Sequence, residues 1–341
     1  IFGFPSIPYD FQIERSTLII LNEKGRELWR FNSGVENLQD DEYYHFLFNF
    51  KTSENSGRRR LPLIIIKDIN YDGKPEVLFA INTKNEFKSK TLFCIDHNGK
   101  ELWRFDAGRE IQFGQDLFST DFTIYGFIID DIDFKLGSEI IVISNAVNRF
   151  ATQVCVLNVK GEKLGDYWNS GQLNDCVTVD LEQDGKKEIL VSGVNNEYGK
   201  GCLIVLDADH LGGGSPQSVE EYIATNLEPG KEKHYLLLPR TDLDLNIDVQ
   251  QSAFKLDLAA NNKIAVTVSL TTLIYYFDFN LHPLSVTLSN NFHQLQADEE
   301  KQGKFFSLSD NELTNKLISE IQYWNGKYWT NIPSQANSWI R

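Results

Sequence analysis

The sequence predicts an all-β fold, a β-propeller of about five to seven four-stranded blades. Three observations predict it: a unit of short apolar runs recurs along the chain, acidic or Asx-Gly turns separate the runs, and one segment alone, near residue 309, has convincing helical spacing. In the clearest unit, apolar runs at residues 63–66 and 77–80 flank the loop 68–76. A third run, 91–95, and the segment Gly99-Lys100-Glu101-Leu102-Trp103-Arg104-Phe105 complete four strands. A second copy has runs at 127–129, 139–143 and 154–157, then Gly161-Glu162-Lys163-Leu164, and ends near Trp168. A third has runs at 177–179, 188–191 and 203–206.

The N-terminus supplies half a unit. Residues 18–21 are followed by Gly25-Arg26-Glu27-Leu28-Trp29-Arg30-Phe31, nearly identical to residues 99–105. The C-terminus offers a partner in residues 321–329, where Asn325-Gly326 between aromatic runs signals a hairpin. Pairing the first and last strands would close the ring and remove two exposed sheet edges, so a closed ring is expected. The chain then reads as a single propeller domain over 1–341. Its clear repeats span 15–210, degenerate blades 231–308, and a helix and closing hairpin 309–332. The helix is marked by the capping box Ser309-x-x-Glu312 and by Leu313, Leu317, Ile318 and Ile321 on one face. Excursions are expected at 32–60, 109–123 and 211–230, the last a flexible surface loop containing Gly212-Gly213-Gly214-Ser215-Pro216.

Charge narrows the function. In 341 residues, 33 Lys and Arg face 48 Asp and Glu, a net charge of −15, which excludes a basic nucleic-acid-binding face. Hydrophobic residues at 41% supply a large core, but no apolar run reaches the roughly 18 residues of a membrane span. The chain begins at Ile1 rather than at a methionine, so any targeting segment or membrane tether would lie upstream. Cys94, Cys155, Cys176 and Cys202 form no CxxC pair, and three of them sit in apolar runs. Buried free thiols are expected, although their even number also permits disulfides.

The loop Asp68-x-Asn70-x-Asp72-Gly73-x-x-Glu76, set between two strands, resembles the FG-GAP and VCBS-type repeats of the integrin α-subunit propeller. The segment Asp96-x-x-Gly99-Lys100-Glu101-x-Trp103 is similar to the blade ends of quinoprotein-type propellers, where the tryptophan packs between blades. The resemblance covers about residues 15–210. It implies structural Ca²⁺ held at loop positions 1, 3, 5 and 9 and by a carbonyl at position 7. In the first loop these are Asp68, Asn70, Asp72, Glu76 and the carbonyl of Lys74. The third loop offers Asp180, Glu182, Asp184 and Glu188, although a glutamate at position 3 is longer than the pattern prefers. The second, with Asp131, Asp133 and Glu139, is expected to be empty because Lys135 replaces the acid at position 5. An alternative treats all three as plain turns, since Asp, Asn and Gly favour turns without any metal.

Catalytic patterns are missing from the sequence. The six histidines are scattered without HExxH, and neither GxSxG nor a phosphate-binding loop occurs. Recurrence of Leu-Trp-Arg-Phe favours blade packing over a binding platform, whereas Tyr323-Trp324 and Tyr328-Trp329 are a candidate glycan or protein contact. The function expected is a non-enzymatic interaction module of a larger bacterial cell-envelope or secreted protein, in the periplasm, on the cell surface or outside the cell. The rivals are a polysaccharide lyase or hydrolase, or a quinone-dependent dehydrogenase, of the same fold.

Overall fold

The structure, a computed structural model, describes residues 7–49, 61–84, 90–118, 120–134, 137–147, 150–248, 250–268, 272–304 and 306–333. Two compact units, Ile1–Tyr167 and Trp168–Arg341, divide the chain. The fold class is the one the sequence predicts: all-β, with the successive antiparallel meander sheets of a β-propeller and a short C-terminal helix.

The first unit opens with a three-stranded sheet, β1 (Asp10–Glu14), β2 (Thr17–Leu21) and β3 (Glu27–Asn32), followed by helix α1 (Asp41–Asn49). Next comes the meander β4 (Ile64–Lys67), β5 (Glu76–Ala80), β6 (Thr91–Ile95) and β7 (Glu101–Asp106). A small hairpin of β8 (Ile111–Phe113) and β9 (Asp116–Phe118) leads to β10 (Phe122–Asp130), β11 (Glu139–Ala146), β12 (Ala151–Leu157) and β13 (Lys163–Ser170). Strand β5 is buried along its whole length, as a continuous apolar run inside a sheet should be. The outer strand β7 instead alternates, turning Trp103 and Phe105 inward and Leu102 and Arg104 outward.

The second unit carries β14 (Leu173–Val179), β15 (Glu188–Asn195), β16 (Lys200–Leu206) and β17 (His234–Leu237). Helix α2 (Asp242–Asn246) precedes a regular meander of β18 (Ala253–Ala259), β19 (Lys263–Val268), β20 (Leu273–Phe277) and β21 (Pro283–Leu288). Helices α3 (Asn290–Lys301) and α4 (Asp310–Glu320) then lead to β22 (Gln322–Trp324) and β23 (Trp329–Thr330). The capping box forms as predicted: the Glu312 carboxylate accepts the Ser309 backbone N–H at 2.9 Å, and the Ser309 hydroxyl accepts that of Glu312. Among the described residues no helix is long and apolar enough to cross a membrane.

Among the described residues the C-terminal hairpin does not pair with the N-terminal half unit, contrary to the closed ring expected from the sequence. Strand β22 pairs with β17, in the register Leu236↔Tyr323 and Leu237↔Gln322, and β1 pairs with β2 alone among the described residues. Without the hairpin β17 would be an unpaired edge. The buried Tyr323 ring anchors the hairpin there, its hydroxyl donating to the Leu281 carbonyl at 3.1 Å. Each unit has its own apolar core, one gathered around Phe79, Phe93 and Val142, the other around Leu236, Val266 and Phe277. All four cysteines are buried free thiols.

Candidate functional site

The three acidic loops share one construction. The residue at position 2 is buried (Ile69, Ile132 and Leu181), and its backbone N–H donates to the glutamate at position 9. The distances are 3.1 Å to Glu76, 2.9 Å to Glu139 and 2.9 Å to Glu188. Position 4 is left-handed in each, at Tyr71 (φ +61°), Phe134 (+53°) and Gln183 (+56°). In the first and third loops Gly73 and Gly185 turn the chain at φ +84° and +88°, and their N–H groups donate to Asp68 and Asp180 at 2.8 and 3.0 Å. Asp72 and Asp184 each accept from the residue two further on, Lys74 and Lys186, at 2.9 Å. These are Asx turns, in which a short carboxylate satisfies the loop's own amides.

The loops differ in what faces the remaining oxygen of the position-9 glutamate. In the first, the Asn70 side-chain amide donates to Glu76 at 3.1 Å. In the third, Lys233, one residue before β17, places its ammonium 2.6 Å from Glu188 and 3.1 Å from Glu182. In the second, Asp131, Asp133 and Glu139 bring one oxygen each within 4.8 Å of one another, the one such acidic cluster among the described residues. The acids that converge are therefore those of the loop expected to be empty, while Lys135 lies outside the described residues. The Tyr71 hydroxyl, from the first loop, donates to Asp131 at 3.2 Å.

Burial raises the pKa of Glu76 and of Glu139, reinforced by Asp72 and Asp68 in one case and by Asp133 and Asp131 in the other, against the stabilising N–H groups of Ile69 and Ile132. The first loop retains an all-oxygen donor set with Asp72 exposed, which suits a hard cation. Asp68, Asn70, Asp72 and Glu76 and the Lys74 carbonyl would hold it, and the ion would supply only charge to brace the turn. The third loop does not suit one, because an ammonium stands between its carboxylates.

Two of the cavities in the second unit bear on the site. One, of about 720 Å³, is walled by Glu182, Glu188, Lys233, His234, Phe279 and His282. The other, of about 360 Å³, lies between the excursion 214–230 and the C-terminal hairpin, with Ser215, Pro216, Ile223, Glu232, Trp324 and Lys327 on its walls. The glycine run is not the flexible loop expected from its composition. Trp168 N–H donates to the Gly213 carbonyl at 2.9 Å, Ser215 N–H to Trp168 at 2.8 Å, and Gly214 N–H to Glu228 at 3.0 Å. Gly213 is left-handed at φ +81°, and a Cβ there would collide with the Pro229 carbonyl. Beside this cavity, Trp329 donates to the Tyr198 hydroxyl at 3.0 Å and packs edge-on to Tyr198 and Tyr235, whereas Tyr328 stays exposed. The sequence signalled the aromatic pair; the glycines that let the opposite wall approach were the missed signal.

Comparison with known proteins adds little at the level of sequence: no family model matches, and no curated protein matches. Several solved structures are similar in fold. The Dos1 propeller shares 11% identity with a TM-score of 0.42, over 81% of this chain and 65% of that one. BBS1N, solved in complex with ARL6DN, shares 12% with a TM-score of 0.41, over 81% and 65%. The C-terminal domain of Pseudomonas aeruginosa PilY1 shares 11% with a TM-score of 0.42, over 78% and 56%. The chain spans less than two thirds of the length of each of these three.

Proposed function

We propose that this chain is a non-catalytic interaction module with FG-GAP/VCBS-type blades, part of a larger bacterial cell-envelope or secreted protein. The observation that carries the reading is how the recurring polar residues are used. The loop carboxylates accept their own loops' amides, and Lys233 is paired with two of them. Residues committed to holding turns are not poised to move protons or attack a substrate. The extracytoplasmic setting is supported by the family resemblance, because loops of this kind, if they bind calcium weakly, suit the millimolar calcium outside the cell.

The cavity beside Trp324 is the surface we assign to a partner. It combines an indole with apolar walls at Ile223 and Leu227 and polar groups at Glu232 and Lys327, the mixture that recognition sites use. The test compares the intact chain with Trp324→Ala in a glycan array and in pull-downs from an envelope fraction. A protein or glycan retained by the intact chain and lost on substitution, with unfolding otherwise unchanged, supports the reading. Binding that survives the substitution moves the interaction elsewhere, and turnover of any captured glycan would overturn the non-catalytic assignment.

A further inference from the structure

We propose that Lys233 closes the third acidic loop from within, its ammonium standing where loops of this pattern hold a divalent cation, so that this loop binds no calcium. The inference uses the calcium-loop reading only for the pattern of positions; the arrangement itself is geometric. Glu182 and Glu188, at positions 3 and 9, both reach the Lys233 nitrogen, at 3.1 and 2.6 Å. The Lys233 side chain is 7% exposed and that of Glu188 3%, so these two charges meet largely out of water, while Glu182 reaches the ammonium from the half-exposed side. Such a pair persists only when its hydrogen bonds are satisfied. Here the second oxygen of Glu188 takes the Leu181 N–H at 2.9 Å, and the Lys233 backbone is fixed by its own N–H to Val205 at 2.8 Å.

The first loop shows why the lysine is needed. Its position 3 is Asn70, whose amide can donate to the position-9 glutamate, and it does so at 3.1 Å. Glu182 has no such donor. Two carboxylates converging on one point repel unless a cation lies between them, and Lys233 supplies it. The longer side chain of Glu182, awkward for a metal loop, suits a partner approaching from β17. Burial alone would lower the Lys233 pKa, but hydrogen bonds and charges from Glu188 and Glu182 outweigh it and raise the value, keeping the nitrogen charged. A divalent ion entering here would face that ammonium at contact distance, so ion and lysine exclude one another.

The experiment is thermal unfolding of the full chain with EGTA, with millimolar CaCl₂ and with MgCl₂ as the control for screening, in an Asp72→Ala background that disables the first loop. Adding Asp184→Ala should leave the calcium response unchanged, because the third loop takes no ion while Lys233 is present. Adding Lys233→Met instead should create a calcium-specific rise of about 3 °C or more, and Asp184→Ala should remove it. A calcium-specific rise that Asp184→Ala abolishes while Lys233 is present overturns the proposal, as does a folded Lys233→Met protein with no calcium response. If Lys233→Met does not fold, the Asp184→Ala comparison alone decides. A wild-type chain indifferent to calcium would sink the reading of the first loop while leaving this one to the Lys233→Met arm.

Discussion

The indole N–H of Trp103 donates to the carbonyl of Val159 at 2.9 Å, and its ring lies where a side chain on Gly161 would stand, 2.6 Å from an ideal Cβ. Trp29 repeats the relation one blade earlier, donating to His97 at 2.9 Å and covering Gly99. The tryptophan of one blade thus recognises the turn of the next, and the glycine meets two demands at once: a left-handed φ of +75° at Gly161 and no Cβ. Gly25, in the first copy of the motif, has φ +69° but nothing within 4 Å of its Cβ position.

These two glycines separate the backbone cost from the packing cost. Gly25→Ala should cost about 1 kcal/mol, the penalty of a left-handed alanine. Gly161→Ala adds a clash with a ring that is itself hydrogen-bonded, and should cost roughly 3 kcal/mol. Urea unfolding with linear extrapolation measures both. Equal losses would mean that the indole gives way, and the blade contact would then be softer than its geometry implies.

The thiols offer a second check. Burial pushes Cys155 and Cys202 up to about 12 and Cys94 higher still, and all four cysteines are buried and outside any disulfide. Thiolate, the reactive form, is therefore scarce in the folded chain at pH 8. A colorimetric thiol reagent should find no reactive cysteine in the native protein and four in denaturant without reductant. Two instead of four would reveal a disulfide.

The fold was legible because its signals are local. Apolar runs such as residues 77–80 and the Asx turns are set by neighbours within a few positions, and the repeat multiplies them. Ser309 and Glu312 marked α4 for the same reason, since a capping box is complete within four residues. The pairing of the C-terminal hairpin was not legible. An edge strand carries no mark of which other edge it will meet; β22 pairs with β17, where Tyr323 is buried. Helix α3 was hidden because its polar sequence buries only Phe292. In the candidate site, the loops' acids were readable by spacing, but Lys233 lies 45 residues from Glu188 and no local pattern links them.

His234, beside Lys233, makes stability fall in mild acid. Burial, reinforced by the Lys233 charge, lowers its pKa from 6.5 to about 4. The unfolded chain therefore binds more protons than the folded one between those values. Stability is fully present above pH 6.5, declines as pH falls towards 4, and changes no further below it through this group. The contribution is on the order of 3 kcal/mol. Wild type should lose about that much more than His234→Gln between pH 7.5 and pH 4, measured by urea unfolding at each pH. Parallel losses in the two proteins would mean that His234 is charged in the folded state.

The first loop should respond to calcium where the third does not. Its candidate ligands are all oxygens, the position-3 residue is an asparagine that hydrogen-bonds Glu76 without bringing a competing positive charge, and Asp72 is exposed enough to turn towards an ion. An ion bound only by the native loop must raise the unfolding midpoint by an amount that grows with its concentration. Millimolar CaCl₂ should therefore raise the wild-type midpoint above the EGTA value by about 3 °C or more, beyond any effect of MgCl₂. Asp72→Ala should remove most of that rise. It also deletes the bond from the Lys74 N–H, so its midpoint in EGTA should already lie lower, by the cost of one exposed turn hydrogen bond, about 1 kcal/mol. A lower starting midpoint with an undiminished calcium rise would place the ion elsewhere. No rise in either protein would leave Asp68, Asn70, Asp72 and Glu76 as a turn held together by its own amides.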